Sequence, residues 1–465
     1  MGIRLHTVRD SVGVPRLSRV SLRKGKPMTR RPRSHSKYAL TPTQIIAIGF
    51  ALVIAMGTLL LSLPIAHRPD IPTTFTDNLF TATSAVCITG LLTVDLGSTY
   101  TVFGQVVIAC LIQIGGLGIT SLGVGIIALA GQRVNFRERV LIKEALNYPS
   151  FKDVMKLIRW VLILTFSIEL IGALLCLPLF LREYPLSKAI GISVFHAIAA
   201  FNNAGMDIFG RGTSMIPYAG DVALNLVTAA LVIVGGIGFF VITEAARVRK
   251  WKKCSLQTKV VLSMTGILLA SGTVLLKLSE GKDITWLGAF FSSMTARTAG
   301  FATFSFGNFS EAGLLIMMVL MFIGASPGST GGGMKTTTFF VFLRSLFTSS
   351  TNRPPEAFRR RIPNESLHKA TTIISLGLLF VIVITALICH IEPSFSLSAV
   401  LFEVVSAIGT VGLTVGITPS LSVASRLLII LTMYVGRLGP LTVASMWVRE
   451  PDTGISLPEE NLSIG

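Results

Sequence analysis

Four glycines stand at matched places in this sequence, each at the end of a short apolar segment. They close the tripeptides Ile88-Thr89-Gly90, Asn203-Ala204-Gly205, Thr298-Ala299-Gly300 and Thr410-Val411-Gly412. Glycine accepts backbone angles that other residues avoid, and its missing side chain leaves room beside the chain. Carbonyls set around an axis by such backbone can replace the water shell of a monovalent cation such as K⁺. A single glycine of this kind reads as a close contact between membrane helices. Four at one register read as a carbonyl ring. Thr89, Thr298 and Thr410, with Asn202 and Asn203, add hydroxyls and amides that can brace or line its mouth. Asp95 and Asp207 follow two of the glycines. They read equally as charges that gather cations or as solvated loop residues.

The elements that must hold such a ring are written in the composition. Of 465 residues, 51% are hydrophobic and 14% charged, against about 25% charged in an ordinary soluble domain. Apolar runs long enough to span a bilayer suggest eight crossings. The long first spans lie at roughly 44–66, 157–181, 258–279 and 370–391. Short segments follow at 76–88, 189–202, 286–297 and 396–409. At 1.5 Å per residue these reach only about 20 Å, less than a hydrocarbon core of about 30 Å. They must enter and return on one side, which non-helical backbone tolerates only inside protein or around a watery cavity. The expected fold is all-α: eight transmembrane helices plus four re-entrant pore helices, in four membrane–pore–membrane repeats around a pseudo-fourfold pore. The repeats run over 41–131, 157–247, 258–344 and 369–449, after a basic arm at 1–40 and before a short tail at 450–465.

Second glycine-bearing stretches follow each short segment: Ile114-Gly115-Gly116-Leu117-Gly118, Val234-Gly235-Gly236-Ile237-Gly238, Ile323-Gly324-Ala325 and Val435-Gly436-Arg437-Leu438-Gly439. Glycines 115, 116, 235, 236, 238 and 439 lie in the second spans and are read as packing residues. The third stretch differs. Ala325-Ser326-Pro327-Gly328-Ser329-Thr330-Gly331-Gly332-Gly333 cannot stay helical, so a loop at membrane depth is expected beneath Gly300. It is the candidate gate, with Lys335 and Arg437 as its cations. A charge inside a membrane needs a partner, and the loop carbonyls 325–333 are a plausible one for Arg437. The alternative is a brace within its own unit. The spacing of Gly328 and Gly333 imitates a phosphate loop, but Met334 interrupts it and no strand precedes it. Glu169 and Arg297 read as buried braces and His196 as a packed helix residue.

Net charge is +18, and most of it falls in clusters at 1–40, 131–160, 246–260 and 344–369, at alternate inter-span positions. That is the positive-inside pattern. It puts both termini in the cytoplasm, with the clusters against anionic membrane lipid, and argues against a nucleic-acid partner. The five cysteines show no metal or disulfide spacing. No cleavable leader is expected, and no metal-binding or nucleophile motif supports an enzyme.

The tripeptides, together with Phe201-Asn202, Arg297, Leu413-Thr414 and Gly436-Arg437-Leu438-Gly439-Pro440-Leu441, resemble the KtrB/TrkH/HKT superfamily of K⁺ transporters over residues 40 to 450. The likeness is greatest to Ktr membrane subunits, although the basic arm is longer. The resemblance implies a gating loop at 325–333 and a homodimer with one pore per protomer in the bacterial cell membrane. It also implies a cytoplasmic nucleotide-binding regulatory ring (KtrA-like) and stimulation by Na⁺. The chain itself would carry no cofactor; K⁺ is the transported ion, and the nucleotide belongs to the partner. A channel-like K⁺ transporter is the leading reading. An alternating-access cation symporter is the alternative, disfavoured because the repeats share one orientation.

Overall fold

The computed structural model describes residues 41–118, 154–210, 212–248, 250–351 and 355–446. The arm at 1–40, most of the 131–160 cluster and the tail at 450–465 lie outside them.

Helices start where a side-chain oxygen can accept a free N–H. Thr41 caps α1 (Pro42–Leu61) in a reciprocal box with Gln44, and Thr74 does the same with Asp77 for α2 (Phe75–Cys87). The chain continues through α3 (Leu96–Thr99), α4 (Val102–Leu117), α5 (Val154–Phe180), α6 (Leu186–Phe201), α7 (Val222–Ile237) and α8 (Phe239–Val248). Then come α9 (Leu256–Glu280), α10 (Trp286–Thr295), α11 (Glu311–Phe322) and α12 (Thr336–Thr351). The last helices are α13 (Asn364–Ile391), α14 (Leu397–Gly409), α15 (Val423–Leu438) and α16 (Pro440–Ser445). The expectation of an all-α chain needs one small amendment. An antiparallel hairpin of β1 (Glu356–Ala357) and β2 (Arg360–Arg361) sits between α12 and α13.

Four helices among the described residues, α1, α5, α9 and α13, are long and apolar enough to cross a membrane, or up to five spans if the bent pair α7–α8 counts as one. Their outward faces carry Leu52, Leu170, Leu278 and Ile382, each more than half exposed. Apolar side chains in such number suit lipid and not water. The helices just before the four glycines, α2, α6, α10 and α14, have 13, 16, 10 and 13 residues. Their inner faces are buried and small: Ala82, Ala85, Ala197, Ala200, Ala289 and Ala407 are almost fully enclosed.

The second helices are interrupted or end early. α4 stops at Leu117, α7 and α8 meet at 95°, α11 stops at Phe322, and α15 gives way to α16 at Gly439. Three of these breaks share one conformation: φ/ψ of 78/136° at Gly118, 100/138° at Gly238 and 91/135° at Gly439. Only glycine adopts it without strain. Gly238 and Gly439 therefore end helices, and Gly238 also packs, since a Cβ on it would lie 2.7 Å from Pro327 O.

The other second-helix glycines pack as well. A Cβ on Gly115 would lie 2.3 Å from Val86 O, one on Gly235 1.9 Å from Phe201 O, and one on Gly436 2.2 Å from Ile408 O. Each of those carbonyls lies four residues before the tripeptide glycine of its own unit. The second helix is thus pressed against the C-terminal end of the short helix, which fixes where the following turn sits. Substituting Gly235→Ala should cost about 1–3 kcal/mol of stability through forced backbone displacement. Gly191→Ala, where nothing lies within 4 Å, should be neutral or mildly stabilising. Thermal unfolding of the detergent-solubilised protein checks both, and equal midpoints for the two variants would refute the packing argument.

Candidate ion site and the loop beneath it

The four tripeptides adopt one backbone shape. Ile88, Asn203, Thr298 and Thr410 have φ of 56, 58, 71 and 50°, and Gly90, Gly205, Gly300 and Gly412 have φ of 96, 64, 78 and 93°. A left-handed residue after a helix, then a second positive φ two residues on, turns the chain sharply and redirects its carbonyls. The turns are held by short-helix groups: Thr89 N donates to Ser84 O at 2.8 Å, Ala204 N to Ala199 O at 2.8 Å and Val411 N to Ser406 O at 2.9 Å. Ser84 and Ser406 each accept from the glycine N–H six residues on, at 3.0 and 3.1 Å.

The four glycines converge. A Cβ built on Gly90 would lie 2.6 Å from Ala204 O, one on Gly205 2.7 Å from Ala299 O, one on Gly300 2.5 Å from Val411 O, and one on Gly412 2.1 Å from Thr89 O. Each glycine faces the carbonyl just before the next glycine, and the fourth returns to the first. The structure thus brings together all twelve tripeptide residues around one closed ring.

On one side the ring opens into a cavity of about 530 Å³ that reaches all four glycines, Asp95 and Asp207. Asp95 accepts from Ser98 N and, across the cavity rim, from Gly212 N at 3.1 Å. Asp207 accepts from Phe209 N at 3.2 Å. Burial, opposed by that hydrogen bond and reinforced by the neighbouring Asp95 charge, pushes Asp207 up to about 7. Two further carboxylates, missed in the sequence reading, hold the rim. Asp77 on α2 pairs with Arg426 on α15 at 2.7 Å and accepts from Thr93. Glu403 on α14 accepts from Thr414, Val415 N and Thr418. Both were visible as acids inside short apolar segments, an arrangement that calls for a buried partner.

On the opposite side lies the segment between α11 and α12. It is non-helical, as expected, and largely buried. Gly331 lies so close to Thr298, and Gly332 to Thr410, that a Cβ on either would come within 2.3 Å of the threonine hydroxyl. The hydroxyls of Thr89 and Thr410 have no hydrogen-bond partner among the described residues. The loop is tied to α7 by Ser326 N to Gly236 O at 3.1 Å and Thr330 N to Gly235 O at 3.3 Å. Arg437 donates to Thr330 O at 2.7 Å and to Gly115 O. It therefore joins the third and first units, and its bonds do not stay within its own. Lys335 donates to Gly331 O at 2.9 Å and Gly332 O at 3.4 Å. Two cations hold three consecutive loop carbonyls.

The residues read as braces behave as such. Glu169 accepts from Gln113 at 3.2 Å and Asn202 at 2.9 Å. Arg297 donates to Thr265 at 3.3 Å. His196 bonds Thr228 at 2.8 Å amid the rings of Phe180, Phe209 and Phe301. Among the described residues no group of His, Cys, Asp and Glu is arranged to hold a metal ion.

Apolar outer faces, four converging glycine turns and a buried loop with paired cations define a multi-pass membrane protein of the ion-transporter class. The comparisons agree. The family model for TrkH-type cation transport proteins matches residues 17–453, and this chain belongs to that family. The chain is 38% identical to Ktr system potassium uptake protein B of Bacillus subtilis, over 91% of this chain and 97% of that protein. It is also 38% identical to potassium/sodium uptake protein NtpJ of Enterococcus hirae, over 92% and 98%. The crystal structure of the potassium transporter TrkH from Vibrio parahaemolyticus superposes with a TM-score of 0.71 at 17% identity, covering 89% of this chain and 86% of that one. Members of this family are ion transporters and not enzymes.

Because Asp207 is neutral below its raised pKa and charged above it, cation affinity at the cavity should rise as pH increases through about 7. One added charge a few ångströms from a cation is worth about 1 kcal/mol in bulk water and more beside a buried group, so apparent affinity should rise by at least roughly fivefold. Asp207→Asn should remove the pH dependence of the KM for cation uptake. A mutant profile that matches the wild type would exclude this role.

Proposed function

We propose that this chain is the ion-conducting subunit of a K⁺ uptake system in the bacterial cell membrane. K⁺ sheds its water as it meets the carbonyls of residues 88–90, 203–205, 298–300 and 410–412. The observation that carries this reading is the closed order of the four glycines, each facing the next unit's carbonyl. Replacing hydration by such carbonyls is the established physical route to K⁺ conduction. The printed names of the relatives, a potassium uptake protein and a potassium/sodium uptake protein, support K⁺ as the cargo and Na⁺ as a second cation of interest, in keeping with stimulation by Na⁺. In our reading each unit contributes two crossings and one re-entrant pore helix, giving eight spans in a pseudo-fourfold arrangement with both termini cytoplasmic. The word "system" in the relative's name supports a multi-component assembly. In our reading this is a homodimer seated on a nucleotide-binding regulatory ring, with no cofactor on this chain.

The loop at 325–333 is the gate in this reading. Its residues 331 and 332 lie against the threonine hydroxyls under the ring, so an ion leaving the ring meets the loop first. Arg437 and Lys335 hold it there through its own carbonyls.

Serine at position 90, 205, 300 or 412 must displace a carbonyl, since any Cβ collides with one. Each variant should lose about tenfold in K⁺ over Na⁺ discrimination, equivalent to about 1.4 kcal/mol. Paired K⁺ and Na⁺ uptake into proteoliposomes measures it. Unchanged ratios in all four variants would rule out the ring as the selective element.

Deleting residues 331–333 should raise K⁺ flux per folded protein. Arg437→Ala should act in the same direction, and the double variant should fall well short of additivity, with a coupling of about 0.5–3 kcal/mol. If the deletion folds normally and flux stays at or below wild type, the loop is not the gate.

A further inference from the structure

A second cavity, of about 360 Å³, lies between α9, α12 and the start of α13. We propose that it holds an acyl chain of an anionic phospholipid from the cytoplasmic leaflet, and that this lipid steadies the loop under the ion ring. The coupling to flux rests on reading that loop as the gate; the binding site does not.

The cavity's chemistry selects a hydrocarbon tail. Val260, Phe340, Val341 and Ile362 line it with Pro327 of the loop, beside the uncharged polar side chains of Gln257, Thr337 and Ser366. Its size falls in the range of small-molecule sites, roughly 300–1,000 Å³, and none of its lining residues carries a charge. The rim is the opposite. Arg344 lies 5.8 Å over the Phe340 ring, so one cation stands on a wall residue. Arg360 and Arg361 immediately precede Ile362, are exposed, and sit on the β1–β2 hairpin. Its turn is made by Phe358 and Arg359 at φ of 49 and 63°. This conformation presents Phe358 to Trp251 in an edge contact at 6.2 Å.

Two of these arginines are partly offset: Glu244, which accepts from Ser255 and Thr258, also interacts with the Arg360 charge, and Glu356 stands opposite Arg361 across the hairpin. Glu365 pairs with Lys369. Arg344, Arg359 and Arg361 meet no carboxylate among the described ion pairs. Half-exposed aromatics beside arginines belong at headgroup depth, and each such cation near an anionic surface adds attraction of about fivefold in binding. A mainly apolar cavity beside a cationic aromatic rim fits an anionic phospholipid better than a zwitterionic one.

The link to the loop is Pro327. Its neighbours are fixed on both sides: Ser326 N donates to Gly236 O at 3.1 Å, and Gly328 O accepts from Phe239 N at 2.9 Å. Pro327 therefore sits where the loop, the α7–α8 bend and the cavity meet. A tail in the cavity supports the loop in the position described here and should lower basal K⁺ flux.

The test uses the full chain without any regulatory partner, with phosphatidylglycerol as the probe and phosphatidylcholine as the control. Native mass spectrometry counts retained lipid, and K⁺ flux is read in vesicles of either composition. Wild type should retain phosphatidylglycerol selectively and conduct more slowly in its presence. Val341→Trp fills the cavity; it should abolish retention and leave a low flux indifferent to lipid. Arg360→Glu with Arg361→Glu lies on the surface and should fold even if the tryptophan variant does not. It should lose selectivity for phosphatidylglycerol by about fivefold per charge. Retention and selectivity unchanged in the arginine variant would overturn the site. Retention lost without any change in flux would leave the site standing and count instead against the loop as gate.

Discussion

Backbone turned toward an axis inside a membrane has no water to satisfy it, and this molecule does so four times at one point. The arrangement is possible only because each turn combines a left-handed residue with a glycine whose Cα nearly touches its neighbours. A Cβ on Gly412 would lie 2.1 Å from Thr89 O, so the ring closes at a radius that no other residue permits. Everything around it serves that closure. The serines at 84 and 406 hold glycine N–H groups. The alanine-rich faces of the short helices let four of them approach. The second-helix glycines allow α4, α7 and α15 to press on the short-helix ends.

The units are alike in backbone and unlike in the side chains that join them. Arg426 and Asp77 tie the fourth unit to the first. Asp95 reaches Gly212 N from the first to the second, and Ser214 accepts from Ala302 N between the second and third. Breaking a buried ion pair by removing one partner is strongly destabilising, so such seams guard the order of units as well as their stability.

The third unit departs most from the common plan. Its second helix ends before the glycine that would pack against the short helix, and the chain crosses under the ring. A loop at this depth keeps its polar groups satisfied only through specific partners. It finds them in Gly235 O, Gly236 O, Phe201 O, Phe239 N, Arg437 and Lys335.

Much of this was written in the sequence. Apolar length, the register of Gly90, Gly205, Gly300 and Gly412, and the glycine-rich break at 325–333 are local properties, set by which backbone angles and burial each residue type tolerates. Hydroxyl caps such as Thr41 and Thr74 likewise act within a few residues. The sequence reading failed where the outcome depended on what stood opposite. Gly238 and Gly439 look like Gly235 and Gly436 in the chain, yet the first pair ends helices and the second packs against carbonyls. Arg437 required a partner by its chemistry, but only the fold set it between Thr330 O and Gly115 O, residues of two other units. The acids Asp77 and Glu403 were visible while their partners, Arg426 and the 414–418 turn, were not. Local conformational preference reads directly from residue type. The pairing of buried polar groups is decided by distances between segments far apart in sequence, and those distances exist only once the four units have closed around their axis.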